Sequence, residues 1–82
     1  MRRILFYTKA HCPLCDEVEA ILDLLQRVHP FDVEVRDIET CDEWLEAYQM
    51  VIPVVEIEGR TFAYEAISYD VLDHVLQEST AN

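Results

Sequence analysis

The pattern of hydrophobic and polar positions changes period along the chain and predicts four strands and three helices in the order βαβαββα. Short apolar runs, or strict alternation of apolar and polar residues, predict strands over residues 3–7, 32–36, 51–58 and 61–64. The strict alternation of the second strand indicates that one of its faces is buried. Apolar residues then recur at helical spacing after Cys12, so the first helix is expected to begin at or just after this residue.

Prolines and capping residues indicate where the first two helices begin and end. Pro13 suits the first helical position, because its missing N–H would have no intrahelical partner there. Pro30 ends this helix at about residues 27–28. Thr40 and Glu43 match the capping-box pattern, with Thr40 as the predicted N-cap of the second helix. The aromatic and apolar residues assigned to that helix are Trp44, Leu45 and Tyr48.

The last third of the chain is predicted to form a hairpin followed by a third helix. Pro53 interrupts the third strand near its start, and residues 58–60 form the turn into the fourth strand. Ser68 is the predicted cap of the last helix, and the tail from Glu78 onward is expected to fray. The apolar face of that helix is predicted to carry Val71, Leu72, Val75 and Leu76.

This order of elements predicts an α/β fold. A strand–helix–strand opening favours a parallel pair with a right-handed crossover, and the closing hairpin adds an antiparallel pair. We therefore expect a four-stranded mixed sheet flanked by helices. Eighty-two residues, of which 51% are apolar, with one Gly and three Pro, predict one compact domain spanning 1–82.

Charge and hydropathy limit the partners and the compartment that we expect. The net charge of −11 makes phosphate backbones and acidic membrane surfaces poor partners, so binding to nucleic acid or membrane is not expected. No apolar run suits a signal peptide or approaches the length of a membrane span. We therefore expect the protein to be cytoplasmic and monomeric.

The candidate chemistry is concentrated in Cys12-Pro13-Leu14-Cys15. A CxxC pair at a helix start places both sulfurs on one side, one turn apart, within disulfide reach. Cys12 lies where free N–H groups and the helix dipole favour a thiolate. Three interpretations stay open, namely a redox-active dithiol, a metal or cluster site, and a pair without catalytic role.

The remaining cysteine and histidines favour the redox interpretation. Structural zinc needs four ligands, and the other candidate ligands lack ligand-pair spacing: Cys41, His11, His29 and His74. We therefore predict a thiol–disulfide oxidoreductase with no metal and no cofactor. Cys41 shares a predicted helical face with Leu45 and Tyr48, which predicts a small core residue dispensable for chemistry. His11 either assists the Cys12 thiolate or is a solvated loop residue.

Two segments resemble the glutaredoxins of the thioredoxin superfamily, and most closely the short glutaredoxin-like proteins. They are Phe6-Tyr7-Thr8-Lys9-Ala10-His11-Cys12-Pro13-Leu14-Cys15 and Val51-Ile52-Pro53-Val54. The resemblance implies that Cys12 is the attacking thiolate and Cys15 the resolving thiol. It also implies that Pro53 is a cis-proline, that the Ile52 backbone pairs with substrate, and that Lys9 favours the thiolate and contacts glutathione. The implied partners are a disulfide-containing protein or small thiol substrate and a reductase or thiol donor.

Several positions depart from the glutaredoxin pattern. Leu14 stands where an aromatic residue is usual, and Val51 stands where a threonine is expected. The glycine pair that lets glutathione approach is replaced by Ala63-Tyr64, and the following polar pair by Ala66-Ile67. These departures predict weak glutathione binding alongside intact dithiol chemistry.

Overall fold

The computed structural model describes residues 2–80, with side chains as far as Glu78. The strands are β1 (Arg2–Thr8), β2 (Phe31–Asp37), β3 (Val54–Ile57) and β4 (Arg60–Ala63), and the helices are α1 (Pro13–Gln26), α2 (Asp42–Tyr48) and α3 (Tyr69–Thr80). Short 3-10 turns occupy Ile38–Thr40 and Tyr64–Ala66. No helix within residues 2–80 combines the length and the apolar character needed to cross a membrane.

The four strands form one mixed sheet in the order β2-β1-β3-β4. β1 runs parallel to β2, and β3 runs antiparallel to both β1 and β4. The predicted α/β fold with a four-stranded mixed sheet is therefore confirmed. β1 is one of the two central strands, and the loop that follows it leads directly to the start of α1, where the cysteines lie.

Two apolar cores stabilise the sheet, one on each face. The larger core joins the sheet to α1 and α3 through fully buried residues that include Ile4, Phe6, Leu22, Leu25, Ile57, Leu72 and Leu76. The smaller core contains Tyr7, Ile38 and Val54, and half-buried α2 residues pack against it: Trp44, Leu45 and Tyr48. Trp44 and Tyr48 lie on α2, as predicted, and flank the smaller core.

The prediction of a capping box at Thr40 is wrong. Thr40 ends the 3-10 turn instead, because its hydroxyl donates a hydrogen bond to the Asp37 carbonyl at 2.7 Å. Cys41 then becomes the N-cap of α2, without a side-chain capping bond, and Asp42 is the first helical residue. Cys41 is half-buried at this helix start, so it is not the core residue that the pattern predicted.

The third and fourth strands are displaced from their predicted bounds. The N–H groups of Val51 and Ile52 donate to the Tyr48 carbonyl at 2.9 and 3.0 Å, so they continue the end of α2 and β3 begins only at Val54. The hairpin turn is also tighter than predicted, because Glu58 and Gly59 both adopt positive φ angles, 49° and 83°. β4 therefore starts one residue early, at Arg60.

Two predictions of burial and one of fraying are also corrected. Val35, which the alternation placed on the buried face of β2, is exposed on this edge strand, and Val71 is exposed on α3. The chain from Glu78 to Thr80 stays helical, and Arg2 Nη1 donates to the Leu76 carbonyl near this end at 2.8 Å. The fraying predicted for 81–82 lies outside the described residues.

Candidate active site

Cys12 and Cys15 lie at the start of α1, where β1 and a four-residue loop deliver them. Cys12 is the N-cap of the helix, with extended backbone angles, and Pro13 is the first helical residue, as predicted. The two cysteines form a disulfide, and their Cα atoms are 5.2 Å apart. The Cys15 N–H donates to Cys12 Sγ at 3.2 Å. A backbone N–H in the first turn of the helix thus donates to the Cys12 sulfur, the atom that carries the negative charge in a thiolate.

The two sulfurs differ in access to solvent. Cys15 is only 2% exposed and belongs to the larger core, whereas Cys12 is half-buried at its edge. An incoming disulfide can therefore reach Cys12 more readily than Cys15. This asymmetry suits a pair in which Cys12 is the attacking sulfur and Cys15 is the resolving sulfur.

The Ile52–Pro53 peptide bond is cis, as the resemblance implies. Pro53 is buried, and the half-buried Ile52 packs against both cores. The Ile52 N–H, however, already donates to the Tyr48 carbonyl at 3.0 Å. Backbone pairing between Ile52 and a substrate would therefore have to use the Ile52 carbonyl.

Lys9 and His11 lie on the exposed loop between β1 and Cys12. His11 has a φ of 57°, in the left-handed region, where the chain turns into α1. Across the described residues, no hydrogen bond or ion pair engages either side chain. Both residues are thus near the cysteine pair in sequence, and their side chains make no hydrogen bond to either sulfur.

An open groove of about 340 Å³ lies beside the motif. Its lining residues come from the motif, from the segment before Pro53 and from the end of β4: Leu14, Met50, Val51, Ile52, Ala63, Tyr64 and Glu65. Three of the apolar residues are strongly exposed, with Met50 at 90%, Val51 at 44% and Leu14 at 41%. The fold therefore brings the CPLC motif and the segment before Pro53 to one shared groove.

One side of this groove is tied to α1 by a hydrogen bond from the Tyr64 hydroxyl to Glu17 Oε2 at 3.3 Å. The negative charge of Glu17, followed by desolvation and this hydrogen bond, raises the pKa of Tyr64 above its ordinary value. Tyr64 therefore stays protonated and remains a donor at neutral pH. Tyr64 was expected as a departure from the family pattern, whereas Glu17 and Met50 were not predicted to lie at the site. The available signal for Glu17 was its position one helical turn after Leu14.

A cluster on the opposite face of the sheet holds the end of β1 in place. Arg36 Nη1 donates to the Tyr7 hydroxyl at 2.8 Å, and Arg36 Nε donates to Glu34. The Arg36 guanidinium also lies 5.1 Å from the centre of the Trp44 ring. The bond to Glu34 is the main reason that the pKa of Arg36 is raised. These contacts fix the strand from which the loop to Cys12 starts.

Within the described part of the chain, no group of three or more His, Cys, Asp or Glu side chains is arranged to hold a metal ion. The cysteine pair therefore has no further ligand side chain grouped with it in this region. The arrangement that is present is a dithiol–disulfide pair beside a groove.

Comparison with solved structures supports the fold. A mutant thioredoxin from Halobacterium salinarum NRC-1 is similar to the chain with a TM-score of 0.68 and 16% identity, covering 94% of this chain and 73% of that one. A malarial protein is similar with a TM-score of 0.67 and 13% identity, covering 95% and 96% of the two chains. At these identities the likeness concerns the fold alone.

A family model described as a glutaredoxin-like domain (DUF836) matches residues 3–77, which include both cysteines, Pro53 and the groove. The predicted resemblance to glutaredoxin-like proteins of the thioredoxin superfamily is thereby confirmed. The chain belongs to the glutaredoxin-like domain (DUF836) family.

Proposed function

We propose that the protein is a small thiol–disulfide oxidoreductase whose redox-active pair is Cys12 and Cys15. The observation that carries this proposal is the asymmetry of the pair. Cys12 is the accessible N-cap of α1 and receives the Cys15 N–H, whereas Cys15 is buried within disulfide reach. Such a pair suits two consecutive thiol–disulfide exchanges.

In the first exchange, the Cys12 thiolate attacks one sulfur of the substrate disulfide. The substrate S–S bond breaks, a Cys12–substrate disulfide forms, and the released substrate thiolate takes up a proton. Cys15 then loses its proton and attacks Cys12 Sγ, which expels the second substrate thiol. The substrate gains two electrons and two protons, and the protein is left with the Cys12–Cys15 disulfide that the structure contains.

Local electrostatics act on Cys12 in two directions. The helix N-terminus and the Cys15 N–H favour its thiolate, whereas the exposed carboxylates of Asp16 and Glu17 on the same helix oppose it. The hydrogen bond acts directly on the sulfur, whereas exposed carboxylates are screened by solvent. We expect the thiolate to be favoured overall, with Lys9 adding positive charge from the exposed loop that also carries His11.

Substrate contacts are assigned to Lys9, His11, Ile52 and Pro53. Pro53 shapes the segment that carries Ile52 into the groove, and a substrate strand would pair with the Ile52 carbonyl. The partners that we propose are a disulfide-containing protein or small thiol substrate and a separate donor of electrons. A dithiol of this kind suits a reducing compartment such as the cytoplasm.

Weak glutathione dependence follows from the groove, since Ala63 and Tyr64 line it where a glycine pair would let glutathione approach. We propose that another thiol donor or a flavoprotein reductase returns electrons to the disulfide. Reversal of the two exchanges on a donor dithiol restores Cys12 and Cys15 to the reduced state.

A redox titration combined with two single variants tests the proposed function. A reversible potential within the range of dithiol oxidoreductases is expected, together with disulfide reductase activity that Cys12→Ser abolishes. Cys15→Ser should instead accumulate a mixed disulfide at Cys12, detectable by mass spectrometry, while Cys41→Ser serves as the matched control. Thiols that do not exchange with disulfides in the folded protein would overturn the proposal and indicate a binding module.

A further inference from the structure

We propose that the groove beside Cys12 selects polypeptide disulfides that carry an apolar side chain next to the cysteine and a basic residue nearby. In this proposal Glu17 and Glu65 are the residues that set the charge preference. The inference rests on the proposed oxidoreductase function and specifies its substrate class.

The charge around the groove favours a basic ligand. Glu65 lines the groove, and Glu17 lies at its side through the hydrogen bond from Tyr64. None of the lining residues is Lys, Arg or His. The chain as a whole carries a net charge of −11, so an anionic ligand also meets an unfavourable long-range field.

The exposed apolar side chains indicate what else the ligand presents. Met50 is 90% exposed and projects from the segment after α2, and Leu14 and Val51 are also exposed beside it. Methionine adapts its shape to different apolar partners, so Met50 suits a variable apolar side chain. A polypeptide supplies an apolar side chain and a cation on the same flexible segment.

The backbone at Ile52 offers a substrate few hydrogen bonds, so side chains contribute more to the selection of substrates. Because the Ile52 N–H donates to the Tyr48 carbonyl, backbone pairing with a substrate is limited to the Ile52 carbonyl. One backbone bond fixes little of the substrate sequence or orientation. Discrimination between substrates then falls to side chains, and those that line or flank the groove are the apolar residues and the two carboxylates.

Three short peptides test the proposal, each with one cysteine joined by a disulfide to the same chromogenic thiol. The first carries an apolar neighbour and Lys, the second the same neighbour and Glu, and the third Ser and Lys. Attack by the Cys12 thiolate of the fully reduced protein on the peptide sulfur releases the chromogenic thiol, and the rate of its appearance in this single turnover gives the second-order rate constant, kcat/KM, for each peptide. We expect the first peptide to react most efficiently, and its advantage over the Glu peptide to shrink at high ionic strength.

Variants assign the preference to particular side chains. The readout is the ratio of kcat/KM for the Lys peptide to that for the Glu peptide, in which a general change in Cys12 reactivity cancels. Glu17→Gln and Glu65→Gln should each lower this ratio by about two- to fivefold. Glu46→Gln, which removes the same charge from the exposed surface of α2, should leave the ratio unchanged.

A further variant tests the apolar part. Met50→Ser should reduce the preference for the apolar over the Ser-containing peptide by about fourfold for each methylene equivalent that the substrate buries. Because Met50 is almost fully exposed, this change should not disturb folding.

The outcomes separate the two proposals. Equal kcat/KM for all three peptides, or a charge ratio that Glu17→Gln and Glu65→Gln leave unchanged, would overturn the substrate preference while the exchange chemistry stands. A small dicationic disulfide that reacts as well as the best peptide would overturn the polypeptide part. Failure of every disulfide to react with the reduced protein would overturn the oxidoreductase function itself.

Discussion

Glutathione binding should be opposed by two separate features of this groove, and they can be tested one at a time. Ala63 and Tyr64 line the groove where a glycine pair would let the ligand backbone come close. The polar pair that would hold the charged amino end of the ligand is replaced by the exposed Ala66 and the half-buried Ile67. Glutathione would lack two charged hydrogen bonds, each worth roughly 1.5–3 kcal/mol, so we expect its affinity to be lower by about a hundredfold or more.

Two variants distinguish the steric feature from the missing polar partners. Tyr64→Gly opens the groove without supplying a partner, so it should raise the glutathione-coupled kcat/KM by less than about tenfold. Adding Ala66→Asp supplies an anion for the ligand ammonium and should give about a further tenfold, the lower end for one charged hydrogen bond. Ile67 is left unchanged, because it packs against the larger core and a polar side chain there would cost stability.

The assay measures reduction of a small mixed disulfide with glutathione recycled by glutathione reductase, beside the same reaction driven by a dithiol. Tyr64→Phe is the control for Tyr64→Gly, because it keeps the ring and loses only the hydrogen bond to Glu17. Ala47→Asp is the control for Ala66→Asp, because it adds the same charge on the exposed surface of α2. The reasoning is refuted if the unmodified protein reacts as fast with glutathione as with the dithiol. It is also refuted if Tyr64→Gly alone restores the full glutathione rate.

Three further predictions follow from burial and hydrogen bonding. In the reduced protein, alkylation near neutral pH should label Cys12 before the buried Cys15, and mass mapping that finds the opposite order would contradict the assignment. Cys41→Ser should retain disulfide reductase activity, because Cys41 lies at the start of α2 and not at the groove, and a folded but inactive variant would contradict the two-cysteine mechanism. Asp73→Ala should lower the free energy of unfolding by about 1–3 kcal/mol, since the buried His29 then loses the Asp73 carboxylate, whose Oδ1 lies 2.6 Å from His29 Nε2. His74→Ala, which breaks an exposed histidine–carboxylate pair on the same helix, should cost less than about 0.5 kcal/mol, and thermal melts showing equal losses would contradict this comparison.

The sequence predicted the first half of the site because the signals there are local. The helical spacing after Cys12 and the two prolines, Pro13 and Pro30, together locate α1 to within two residues of its observed bounds. Both depend on neighbours in sequence, so tertiary contacts did not alter them. The same holds for the order of strands and helices, which follows from the change of period along the chain.

The parts that sequence could not predict depend on individual side-chain hydrogen bonds, one between distant residues and one within a turn. The Tyr64–Glu17 hydrogen bond joins positions 47 apart in sequence. The start of α2 moved because Asp37 organises a 3-10 turn that uses the Thr40 hydroxyl. In each case a side chain or carbonyl found a partner that the local pattern does not encode.

The two proposals place opposite electrostatic demands on the start of α1. The Cys12 thiolate requires positive potential, whereas selection of a basic substrate requires negative potential only a few residues away. Helix geometry separates them, because the Cys15 N–H acts directly on the Cys12 sulfur at 3.2 Å and the dipole effect is confined to the first turn. Glu17 lies in the second turn, exposed and hydrogen-bonded to Tyr64 at the groove, where water weakens its effect on the sulfur. One helix can therefore activate the nucleophile at its N-cap and attract a cation in its second turn, provided that the carboxylate stays turned toward the groove.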